Sequence, residues 1–139
     1  MVLTQEKGGY ARGQVVRLHG SFRIDGTSNP DVIRDGNSAY VASVTRVSAG
    51  LFTVKFDKDF PIPEILTSWK ISMARAAVPT QEITECNLVV DSYSMSARTF
   101  QVACVDGSDG SNGAVDPDDN DMIGFELVGS ISSVGTDPA

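Results

Sequence analysis

Histidine and tryptophan occur once each in this 139-residue chain, and cysteine twice. A lone histidine leaves every Ser–His or Cys–His nucleophilic arrangement a single candidate base, His19, whose neighbours Leu18 and Gly20 offer it no orienting partner. His19 is therefore read as structural. The two cysteines have neither CxxC spacing nor a neighbouring histidine, so they do not make a zinc site. Glu82 and Glu85 have opposite parity on a strand and would not converge as the carboxylate pair that glycoside cleavage requires. No Walker loop, no GxGxxG before a helix and no metalloprotease motif is present. These absences lead to the expectation of a protein that is not an enzyme, with no catalytic residues, no metal and no cofactor.

Long apolar runs are missing as well. None approaches the ~18 to 20 residues that span a bilayer, so a soluble protein without a membrane partner is expected. The opening "MVLTQEKGGYARG" lacks the apolar core of a secretory signal and the character of a transit peptide, which points to synthesis in the cytoplasm. With 41% hydrophobic and 21% charged residues the composition is that of an ordinary globular chain, and a domain of this length buries roughly 70% of its unfolded surface.

Positive charge is scarce in one half. Residues 1–80 carry ten Lys/Arg against seven Asp/Glu, whereas residues 81–139 carry one against eleven, a split of +3 against −10. An acidic half of this strength repels phosphate backbones, which argues against nucleic acid as a partner. Its readings are a solvated acidic face, or basic and acidic patches that meet between neighbouring copies.

What is abundant is two-residue alternation, and no window holds a helical period for three turns. The chain reads as all-β: an antiparallel sandwich (jelly-roll or immunoglobulin-like) or barrel of about eight strands. Residues 1–13, interrupted by Gly8 and Gly9, read as an extended N-terminal arm whose candidate partner-binding side chains are Val2, Leu3, Tyr10 and Arg12. Residues 14–139 read as one β domain. Its strands are expected at 14–24, 31–34, 38–47, 51–56, 66–76, 83–94, 97–105 and 122–131, with Asp, Asn, Gly and Pro punctuating the joints. Pro61 and Pro63 remove two backbone donors and end the hairpin unit before them.

Parity assigns several side chains. Cys86 goes with Leu88 and Val90, and Cys104 with Phe100 and Val102, so two free core thiols are expected, with a cross-strand disulfide as the alternative. Trp69 goes with Ile71 and Met73 and reads first as a core residue, second as a sugar-stacking platform alongside Tyr10, Tyr40 and Tyr93. The polar segment 106–121 carries Asp106, Asp109, Asp116, Asp118, Asp119 and Asp121. Asp116, Asp118 and Asn120 match the first three ligand positions of a calcium loop, but Asp121 stands where Gly is needed and Leu127 where a bidentate Glu is needed. A solvated loop is the expectation, of a length that is often functional.

One stretch is more specific. In "VASVTRVSAGLFTVKF", residues 41–56, Phe52, Val54 and Phe56 alternate against Leu51, Thr53 and Lys55, and Val44 alternates against Val41, Ser43 and Thr45. The first row, with Val44, is the core face. "SAG" reads as a three-residue loop in which Gly50 takes the left-handed conformation of a G1 bulge. From Ser43 on to Glu64, the chain resembles a segment that recurs in structural proteins of tailed bacteriophages, through Val44, Arg46, Gly50, Phe52, Thr53, Val54, Phe56, Phe60 and Pro61. It covers 22 of the 139 residues, and Phe52 stands where the family often has Tyr. The resemblance implies a virion component made in the host cytoplasm, either a capsid decoration (cement) protein or a tail or fibre β-domain. As a decoration protein it would bridge neighbouring subunits of an assembled capsid, with capsid protein and copies of itself as partners in a homo-oligomer such as a trimer. The alternative is a receptor- or carbohydrate-binding domain of a tail fibre that uses the 106–121 loop.

Overall fold

The computed structural model of the chain describes residues 14–34, 40–76, 78–108 and 113–131. The arm at 1–13, including Val2, Leu3, Tyr10 and Arg12, lies outside the described residues, as does Asp109. Among the described residues nine strands follow one another: β1 Gln14–Asp25, β2 Ser28–Val32, β3 Val41–Ser48, β4 Leu51–Phe56, β5 Ile65–Ala74, β6 Glu85–Leu88, β7 Thr99–Asp106, β8 Gly113–Ala114 and β9 Met122–Ile131. They form two antiparallel sheets in the orders β2-β1-β9-β5 and β3-β4-β7-β6, with the short β8 paired to β7. The architecture is a β-sandwich of two open sheets, which resolves the sandwich-or-barrel alternative.

Alternation explains why the sheets face each other. In β7, Phe100, Val102 and Cys104 are buried while Thr99, Gln101 and Ala103 are only half-buried. The same pattern in β9 buries Ile123, Phe125 and Leu127. Rings then lock one sheet onto the other. Phe22 of β1 meets Phe52 of β4 at 5.7 Å between centroids, and Phe125 of β9 meets Phe100 at 5.1 Å and Phe56 at 6.2 Å. Such pairs are worth about 0.5–1.5 kcal/mol each beyond the area they bury. At the sides, β2 packs over β3 and β5 over β6.

The β3–β4 hairpin carries a correction. Val44, Phe52, Val54 and Phe56 are all buried, but so is Val41, which strict alternation puts on the opposite face from Val44. A register shift between Val41 and Ser43 inserts one extra residue, and this bulge returns Val41 to the core side opposite Phe56. The connection is also tighter than a three-residue loop. Ser48 pairs with Leu51, leaving Ala49 and Gly50 as the turn, with Gly50 at φ 69°.

Three other expectations change. Trp69 does pair with Leu127 on the inward-facing side, yet it is 45% exposed, because β5 is the free edge of its sheet and its register shifts between Leu66 and Ser68. The strand expected at 83–94 stops at Leu88. Beyond it Val90 is exposed, Asp91 adopts φ 62°, and the Ser92 N–H donates to the Val89 carbonyl in a turn. Strand β8 lies inside the segment read as loop.

The crossing from β4 to β5 closes one end of the sandwich with buried Ile62 and Pro63. Glycine is required opposite it: a Cβ on Gly129 would collide with the Ile65 carbonyl and with Pro63. Tyr93 donates to the Pro63 carbonyl at 2.5 Å, and burial raises its phenol to about 12. Arg98 donates to the carbonyls of Asp57 and Phe60.

Candidate interaction surface

In its described residues, 106–108 and 113–121, the acidic segment is held to the sandwich rather than solvated throughout. It runs back beside β7, where β8 pairs with Val105 and Asp106 and the Val115 N–H donates to the Cys104 carbonyl. The next residue, Asp116, sits at the tip of the hairpin. It accepts from Arg46 Nε at 3.0 Å and Nη2 at 2.7 Å, and from the Gly50 N–H at 2.9 Å. The Arg46 hydrogen bond holds the Asp116 carboxyl below its ordinary range, and Arg46 is raised in return. Gly50 is needed for this approach, since a Cβ there would stand 2.5 Å from the carbonyl oxygens of both Cys104 and Val115.

The following carboxylates are held in the same way. Asp118 accepts from the Thr80 N–H and hydroxyl, both at 2.7 Å, and from Arg75 Nη2 at 3.1 Å. The Thr80 donors are the main reason that its carboxyl is lowered. Asp121, 1% exposed, accepts from Arg75 Nε at 2.8 Å and from the N–H groups of Ala76 and Asp118, each at 2.9 Å. Asp119 accepts from the Gly26 N–H, and Asp106 caps its own turn through Ser108. The calcium-like spacing is thus used by protein donors at divergent sites. Among the described residues no three His, Cys, Asp or Glu side chains are grouped to hold a metal ion.

Part of the charge split is met within the chain. Arg46 with Asp116, Arg75 with Asp118 and Asp121, and Arg17 with Glu126 each join a cation of the first half to carboxylates of the second.

His19 and Tyr40 are joined through the backbone. The His19 N–H donates to the Tyr40 hydroxyl at 2.5 Å, the rings meet edge-on at 6.4 Å, and burial raises the Tyr40 phenol. Of the tyrosines considered as sugar platforms, Tyr40 and Tyr93 therefore commit their hydroxyls to the fold, and Tyr10 lies outside the described residues.

Two broad surfaces remain, the outer faces of the sheets. On the β2-β1-β9-β5 sheet, Arg17, His19 and Arg23 of β1 share the outward face with Glu126 of β9 and Lys70 of β5. Ser21, Gly124 and Ser72 form one cross-strand row of small residues there, and the surface sinks into a trough of about 320 Å³ lined also by His19, Lys70 and Glu126. On the β3-β4-β7-β6 sheet the outward rows are Thr45–Thr53–Gln101 and Ser48–Leu51–Ala103–Asn87, with Lys55 and Glu85 at the margins. Gln101 Nε2 donates to the Thr53 hydroxyl at 3.1 Å, tying two strands on this face. One face is charged and hollowed, and the other is nearly uncharged and braced.

Among the described residues, then, the chain is an all-β sandwich whose surface features are two sheet faces and a pinned acidic segment. No family model, curated protein or solved structure matches it. The nearly uncharged face was invisible to sequence reasoning because its members alternate with core residues on four separate strands. Only their register places them side by side.

Proposed function

We propose that this protein is a non-enzymatic virion structural protein that decorates an assembled capsid and stabilises it by bridging neighbouring subunits. The observation that carries this reading is the outer face of the β3-β4-β7-β6 sheet, uncharged at its centre with Lys55 and Glu85 at the margins, since depletion of charge marks the buried centre of protein interfaces. The same sheet contains the hairpin that resembles phage structural proteins. The hairpin's tip is pinned by Arg46, Gly50 and Asp116, so the face is presented on a rigid support. The arm at 1–13 would add a strand to a neighbour's sheet edge, where main-chain hydrogen bonds give affinity without demanding side-chain chemistry.

Co-sedimentation with expanded capsids tests the reading. Saturable binding is expected, lost in Thr53→Arg with an unchanged melting temperature and weakened by deletion of residues 1–13. Binding that survives both changes, or recovery of the protein only at tail tips, overturns it.

The trough favours a second reading, a receptor- or carbohydrate-binding domain of a tail fibre. Its serine, histidine, lysine and glutamate side chains supply the donors and acceptors that a sugar needs, whereas Asp116, Asp118 and Asp121 of the 106–121 segment are already engaged. Glycan-array binding abolished by Lys70→Ala would select this reading over capsid decoration.

A further inference from the structure

Cys86 and Cys104 are directly opposed on β6 and β7, and their sulfurs lie 2.9 Å apart. The backbone of Cys104 shows what kind of position this is. Its N–H donates to the Gly50 carbonyl and its own carbonyl accepts from the Val115 N–H, so both groups turn away from β6. On the β6 side, in agreement, the Val89 N–H donates to the Gln101 carbonyl, three residues along the ladder. The cysteines therefore form a non-hydrogen-bonded antiparallel pair, the closer of the two kinds, with Cα atoms ~4.5 Å apart. That spacing falls inside the ~4.4–6.8 Å over which disulfides form without backbone movement.

We propose that Cys86 and Cys104 are a reversible thiol–disulfide clamp that fastens the free edge strand β6 to β7. Strand β6 is four residues long, ends its sheet, and leads into the 89–98 connection. Few backbone bonds hold it, and a short edge strand is where a sandwich frays or accepts a foreign strand. A covalent bond at its second residue closes the chain from 86 to 104 and removes that freedom. In the dithiol form the edge stays open to pairing.

Access sets the order of events. Cys104 is fully buried, and its hydrogen bond to Cys86, with burial adding to it, keeps its thiol protonated, whereas Cys86 is half-buried on the edge. With a small-molecule disulfide such as oxidised glutathione as the oxidant, the Cys86 thiolate attacks one of its sulfurs. One glutathione thiolate leaves and takes up the proton that Cys86 lost. The Cys104 sulfur, giving up its proton, then attacks the Cys86 sulfur of the mixed disulfide and expels the second glutathione as a thiol. Two protein thiols are oxidised, and one glutathione disulfide is reduced to two thiols.

The test uses the purified full chain under native conditions. After incubation with oxidised glutathione, intact mass should fall by the mass of two hydrogen atoms, neither thiol should alkylate once the chain is unfolded in denaturant, and a peptide linking 86 to 104 should appear. The melting temperature should rise by roughly 5–10 °C and return on reduction, as expected for closing a loop of this length in a chain of this size. Cys86→Ser, at the half-buried position, should abolish the shift while retaining the fold of the reduced protein. Cys104→Ala provides the same control from the other strand. Two alkylatable thiols after oxidation, a stable glutathione adduct on Cys86, or disulfides only between molecules would each overturn the proposal.

Discussion

The β3–β4 hairpin and the 106–121 segment meet at Asp116, yet they are specified in different ways. The hairpin is organised by neighbours in sequence: an alternating row, a left-handed glycine and a proline-broken exit. The described part of the acidic segment has short turns of its own at Asp106–Ser108 and Asp118–Asp121, and is held in place by donors from Gly26, Arg46, Gly50, Arg75 and Thr80. A region dense in carboxylates need not be a solvated region. When each carboxylate finds its own cation or N–H groups, the same composition forms a set of pins.

The strongest way to break this comparison is to remove the hairpin's core. Phe52→Ala deletes a ring that is 1% exposed and packed on Phe22, and should cost about 3–5 kcal/mol in denaturant unfolding, enough to threaten a domain of marginal stability. Arg75→Ala attacks the other region by stranding the Asp121 carboxylate in the interior. A loss of about 3 kcal/mol is expected, and recovery on adding Asp121→Asn would show that the uncompensated charge is the cause. Gly50→Ala strikes the point where both regions touch. Its left-handed φ and the two carbonyls at 2.5 Å predict a loss of about 2 kcal/mol, accompanied by increased proteolytic cleavage between 106 and 121.

Acid separates the regions more gently. The carboxyls of Asp116 and Asp118 are lowered in the folded protein, so more protons bind to the unfolded chain as pH falls. Their contribution is complete above the ordinary carboxylate range near 3.8 and is lost as pH falls through it and below. Melting temperature measured from neutral pH down to about 3 should therefore fall, and Asp116→Asn should reduce the slope. The smallest effect is reserved for Arg17→Ala. Its pair with Glu126 is largely open to water, and a change within about 0.5 kcal/mol is expected in the same unfolding measurement.

Much of the fold was legible from alternation. β1, β4, β7 and β9 lie close to where the sequence places them, because a buried strand leaves a period-2 trace that no distant residue has to complete. The misses have specific causes. Val41 needed a bulge, which adds a residue without any composition to announce it. Trp69 has core parity but edge position, and parity carries no information about which strand ends a sheet. Strand β8 is only Gly113–Ala114, too short to alternate. Arg46, noticed only as part of a resemblance, and Gly50, read only as a turn residue, share a tertiary role: both donate to Asp116.

The sequence by itself determined the all-β class, the inward rows of Phe and Val, and the left-handed turn at Gly50, since each depends on residues within a few positions of one another. Only the tertiary structure decided that β9 lies between β1 and β5, that β7 lies between β4 and β6, and therefore which side chains share a surface. Those pairings join residues as far apart as Gln14 and Ile131. Across such distances charge, thiol and carboxylate have no preferred partner in the chain itself, and strand order selects one. It joined three cations of the first half to four carboxylates of the second and set Cys86 opposite Cys104.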